Sequence, residues 1–159
     1  MSKTNALAHM SNVARFLEGI EHEPLAEIVS ETILNGGSTT DLSRLGQPGE
    51  APSFGYMVGG IVKPTIIRRG TRPGTTAWDT LGALAVSDIA TFIAQNAWKL
   101  SNPWGRATHL LGTWVDESTG DVHLDVAEHV IDRDRALALA AERSELAIFD
   151  LSEHESITV

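Results

Sequence analysis

The sequence contains no cysteine, which removes disulfides, thiolate nucleophiles and cysteine-ligated metals from consideration and fits a reducing compartment. Aromatic residues make up only 6% of the chain, so its core has to be built mainly from aliphatic side chains. No apolar run approaches the ~20 residues that a membrane helix needs, and no basic stretch followed by an apolar core opens the chain. These absences lead us to expect a soluble cytoplasmic protein that does not engage a membrane. Rossmann, Walker, HExxH and Gly-x-Ser-x-Gly patterns are also missing, so no motif implies an organic cofactor or a serine nucleophile.

Basic residues are scarce in one region. Residues 116–159 carry three of them against twelve acidic ones, whereas residues 1–115 carry nine of each, so the whole net charge of −9 lies in the last part of the chain. An acidic surface repels phosphates, which argues against direct nucleic-acid binding, and it suits a basic protein partner. The one basic cluster, Lys63, Arg68, Arg69 and Arg72, lacks a phosphate-binding loop and reads as a solvated face or an internal partner for the acidic half.

Hydrophobic spacing divides the chain into a helical segment, residues 1–22, and a single α+β domain, residues 23–159. Leu7, Met10, Val13, Leu17 and Ile20 form a helical stripe capped by Thr4. Pro24 opens a second helix with Leu25, Ile28, Val29 and Ile33 on one face, and Gly36-Gly37 stops it. Residues 38–53 are turn-rich. Residues 55–62 read as a strand with glycine interruptions, and residues 64–69 as its neighbour. Ser87 looks like the cap of a helix whose apolar stripe is Ile89, Phe92, Ile93, Asn96, Ala97 and Leu100. Leu110–Asp116 and Asp121–Val126 make a hairpin about a Glu-Ser-Thr-Gly turn. Asp132 caps an alanine-rich helix, Leu-Ala-Ile-Phe returns as a strand, and a short strand closes the chain at Ser156–Val159. Hairpins separated by helices indicate an α+β fold, a mainly antiparallel sheet with helices on one face.

The order Gly36-Gly37-Ser38-Thr39, Gly55-Tyr56-Met57-Val58, Ile93-Ala94-Gln95-Asn96, Leu111-Gly112-Thr113-Trp114-Val115-Asp116, Leu124-Asp125-Val126 and Ala147-Ile148-Phe149-Asp150-Leu151 resembles small uncharacterised proteins of actinobacteria and their phages and mobile elements. The likeness spans most of residues 30–151; Ser144-Glu145 departs from the Asn-Gln that many relatives carry there. It implies a bacterial or phage-infected cytoplasm and carries over no functional residue.

Asp121, His123 and Asp125 recur at every second position and therefore share one strand face, opposite Val122, Leu124 and Val126. Their oxygen and nitrogen donors could serve a divalent metal; otherwise they are a wet face. A type I turn with a Gly120 bulge would put Thr113 and Val115 on that same face. As a contact surface for a protein, the acidic residues Asp116, Glu117, Asp121, Asp125 and Glu128 stand with Trp98, which lies off its helix's apolar stripe, and Trp104 in a loop. The sequence is thus read first as a non-enzymatic, protein-binding accessory protein of phage or mobile-element origin. Its acidic surface would engage a basic, nucleic-acid-binding host protein, as a DNA mimic does. A small metal-dependent hydrolase or nucleotide-binding enzyme and a homo-oligomeric phage assembly component are the alternatives.

Overall fold

The computed structural model describes residues 22–42, 52–68, 77–101, 108–116 and 118–159. The helical stripe at 4–20, the loop at 43–51, and Arg69, Arg72, Trp104 and Glu117 lie outside these residues.

Helix α1, His22–Asn35, has Pro24 in its first turn and buries Leu25, Ile28 and Val29, as their spacing predicts. It ends at Gly36, whose φ of +77° is a conformation that side-chain-bearing residues rarely adopt. The chain then enters strand β1, Gly37–Thr40, where the composition suggests only turns. Register and side-chain hydrogen bonds outweigh propensity there: β1 pairs antiparallel with β4, and Thr113 Oγ1 accepts the Ser38 N–H at 3.1 Å.

Strands β2, Tyr56–Val58, and β3, Thr65–Ile67, are shorter than expected and do not pair with each other. Both pair antiparallel with β5, β2 opposite residues 128–130 and β3 opposite residues 122–124. The chain leaves β5 between them at Gly59-Gly60. Helix α2 runs from Ala77 to Ser101, ten residues before the expected cap; Ser87 lies inside it and accepts the Thr91 hydroxyl at its carbonyl. The stripe itself is as read, with Ile89, Phe92, Ile93 and Leu100 buried. Among the described residues no helix is long and apolar enough to cross a membrane.

Strands β4, Thr108–Val115, and β5, Val122–Val130, form the long central hairpin. Helix α3, Arg133–Arg143, follows, with Asp132 Oδ1 accepting the Arg135 N–H and Ser144 closing its end in the left-handed region. Strands β6, Ala147–Asp150, and β7, Glu155–Thr158, complete an antiparallel sheet of order β1-β4-β5-β2-β6-β7, with β3 beside β5. The fold is therefore the expected α+β one.

The helices share one face of the sheet. Leu111, Val122, Leu124 and Val126 pack against α1 and α2 in one apolar cluster, while Val58, Val130 and Ile148 pack against Ala136 and Ala140 of α3 in a second. Strand register puts all these sheet residues on the same side. Each fully buried aliphatic side chain contributes roughly 1.5–3 kcal/mol, so this side holds most of the stabilising burial.

Candidate functional site

The β4–β5 hairpin decides which side chains turn away from the helices. Its pairs include Val115 with Val122, Trp114 with His123 and Thr113 with Leu124. Thr113 and Val115 thus lie on the helix side, contrary to the bulged-turn expectation, because four residues rather than three bridge the strands. The Asp116 N–H donates to the Asp121 carbonyl at 2.9 Å, which closes that loop and fixes the register. Thr113 uses its position: buried, it shares a hydrogen bond with the Thr32 hydroxyl of α1.

Asp121, His123 and Asp125 do turn to the opposite side, and each meets a different neighbour there. His123 stacks on Trp114 with ring centroids 4.0 Å apart and planes at 17°. Trp114 is 47% exposed, and Ile66, the β3 residue opposite His123, is equally exposed, so an aromatic and apolar row crosses three strands in the open. Asp121 lies 3.7 Å from Arg68. The basic cluster thereby supplies one internal partner to the acidic half.

Asp125 sits where β2 gives way to β3. A Cβ at Gly59 would overlap an Asp125 carboxylate oxygen and lie 3.2 Å from Glu145 Oε2. The absence of a side chain at Gly59 is what lets the two carboxylates crowd one point. Burial pushes the Asp125 carboxyl up to about 6, and the Glu145 charge adds to that, against hydrogen bonds from the Val126 and Gly60 N–H groups and the attraction of Arg143. Glu145 is the residue that the sequence offered no reason to join to Asp125; only the approach of the α3–β6 connection brings it there.

Glu128, expected on an acidic contact surface, is buried and ion-paired with Arg143 on the helix side. Arg143 also donates to the Val58 and Gly59 carbonyls at 3.3 and 3.2 Å. The even-numbered register of β5 places Glu128 with Leu124 and Val126, so it is withdrawn from any partner. Asp116 stays at the hairpin end, where the Ser118 hydroxyl and N–H hold its carboxyl below the usual range. Trp98 is 41% exposed on α2.

Two further histidines act within the fold: on this side His129 Nε2 is 2.8 Å from the Phe54 carbonyl, and on the helix side His109 Nδ1 is 2.7 Å from the Lys99 carbonyl. Among the described residues, no group of three or more histidine, aspartate or glutamate side chains is placed to hold a metal ion. Compared with protein-family models, with curated proteins and with solved structures, the chain matches none. What the site offers chemically is an open face: a half-exposed stacked aromatic pair, an ion pair at its rim and a carboxyl of raised proton affinity beside a second acid.

Proposed function

We propose that the protein is a non-enzymatic binding module that engages a basic protein through its acidic carboxy-terminal half. One observation carries this reading. Arg143, one of only three basic residues in 116–159, is spent internally on Glu128, while Asp132, Asp134, Glu142, Glu153 and Glu155 remain exposed. Against these five exposed acids stand only Arg133 and Arg135, so the outer surface of this half stays net negative, and such a surface steers a partner of opposite sign. On the opposite side of the sheet from α3, the partly exposed Trp114–His123 pair and Ile66 offer a separate aromatic and apolar patch of the type that protein contacts use. In an actinobacterial accessory or phage setting, a nucleic-acid-binding host protein is the partner whose charge fits, with the acids standing in for phosphates.

The test is affinity capture from an actinobacterial lysate with wild type and a Glu142→Gln/Glu153→Gln/Glu155→Gln variant. The expected result is recovery of one basic protein whose binding falls steeply as salt rises and is lost with the neutralised variant. Equal recovery by both proteins, or indifference to salt, overturns the reading.

A further inference from the structure

The last strand of the sheet is open on its outer side. Among the described residues β7 is paired only with β6, on its inner side. The Val159 N–H donates to the Leu146 carbonyl at 3.0 Å, which makes residues 146 and 159 a hydrogen-bonded pair. In an antiparallel ladder such pairs alternate, so Ile157 and Glu155 turn their backbone groups to β6, and Ser156 and Thr158 turn theirs outward. Natural edges are commonly blunted with lysine or proline, and residues 144–159 contain neither.

The flanks of this edge carry a consistent chemical preference. Residues 144–159 contain no lysine or arginine, and Glu153 and Glu155, just before and at the start of β7, are exposed. Leu146 and Val159, paired at one end of the edge, are 85% and 46% exposed. Ile157 packs against the α3 cluster from its rim and is only partly covered. An added strand would therefore find backbone partners at Ser156 and Thr158, an apolar shelf on the α3 side and carboxylates around it.

We propose that β7 accepts an extended basic segment of a partner protein as an added strand, with its backbone pairing to Ser156 and Thr158 and its lysine or arginine side chains meeting the surrounding carboxylates. This rests on the reading of the acidic half as a protein-binding surface and specifies where and how that surface binds. A second copy of the chain is a poorer occupant, since two protomers of net charge −9 repel each other.

The probe is the synthetic peptide acetyl-Lys-Val-Lys-Val-Lys-Val-amide, titrated into the full chain and followed by amide NMR and hydrogen exchange. The expected result is slowed exchange at the Ser156 and Thr158 amides. It should be accompanied by at least a tenfold weaker interaction when alternate residues of the peptide are N-methylated, which leaves its charge unchanged and removes its strand donors. Thr158→Pro, which deletes an outward N–H and leaves the β6 ladder intact, should weaken binding to the same degree. Equal binding of the N-methylated peptide, or protection that maps to the Trp114 face instead, overturns the proposal. A wild-type dimer in sedimentation that Thr158→Pro dissolves also overturns it, in favour of a second copy. Lysate capture that survives Thr158→Pro and is lost with the glutamine variant leaves the acidic-surface reading standing and removes strand addition; capture unaffected by either removes both.

Discussion

The two sides of strand β5 are built from one alternating stretch of sequence and have opposite characters. On the helix side, Val122, Leu124, Val126 and Val130 meet aliphatic side chains of three helices, and the one acid, Glu128, is held by Arg143. On the other side, His123 is stacked on Trp114, Asp125 is crowded against Glu145, and the neighbouring Asp121 reaches Arg68. The first side acts collectively; on the second, Ala127 joins Met57, Leu110 and Leu151 in a small buried cluster, and the polar residues beyond it act as separate pairs. Residue types that could together make a metal or acid–base site are thus divided among different neighbours.

The sharpest break in this comparison comes from equal truncations on the two sides. Leu124, fully buried, should cost about 3 to 5 kcal/mol when replaced by alanine, since a cavity opens beneath α1 and α2. Trp114→Ala removes a larger side chain and should cost less than about 1 kcal/mol, because the indole is half exposed and loses chiefly one stacking partner. Urea denaturation of both variants measures the difference; similar losses would mean that the open side is a second core.

That division was half legible in the sequence. Period-two alternation over 121–126 assigns the two sides of β5 correctly, and the N-cap of α3 at Asp132 and the strand at 147–150 follow from local chemistry. The partner strand's faces depend on loop length: with four residues between the paired Asp116 and Asp121, Trp114 joins His123, and with a three-residue loop it would have been Thr113 and Val115. Local sequence carries little information about that choice. Nor does it show that residues 55–62 and 64–69 pair with β5 instead of each other, because both are short and glycine-punctuated and their register is set by β5 itself. Glu128 continues the alternating pattern past the point where the wet side was read, and its burial follows from the arrival of Arg143 from another element. Glu145 is a neighbour of Asp125 only through the tertiary fold.

The Glu128–Arg143 pair gives the next effect in size. Glu128→Ala leaves a guanidinium that is 20% exposed facing apolar neighbours and should destabilise by about 2 to 3 kcal/mol. Arg143 retains its Val58 and Gly59 carbonyls, which keeps the loss below that of a wholly orphaned charge. Replacing both members, Glu128→Leu with Arg143→Met, should recover only part of the loss: an apolar side chain at 128 would join Leu124 and Val126, while the change at 143 gives up the Val58 and Gly59 carbonyls and the attraction on Asp125. A double-mutant cycle read by urea denaturation checks this; additive losses would show that the two residues act independently.

A further effect, read by pH, separates Asp125 of β5 from Asp116 at the hairpin end. Asp125 has a folded-state carboxyl pushed up to about 6 from an unfolded value near 3.8, so between these values the native protein holds a proton that the unfolded chain has released. Stability therefore falls as pH rises from about 4 to 6, by at most on the order of 2 to 3 kcal/mol, and stays lower above that range. Asp116, whose carboxyl is shifted the other way, contributes stability that is lost only as pH falls below its usual range, outside this window. Asp125→Asn removes the ionisation while keeping the shape, so its stability should be flat from pH 4 to 7, matching wild type at the acid end and exceeding it by about 2 kcal/mol at neutral pH. Urea midpoints at pH 4, 5, 6 and 7 for the two proteins decide the matter. Parallel curves would show that Glu145 and the Gly59 backbone do not crowd Asp125, and that the open side accommodates its charge as readily as water does.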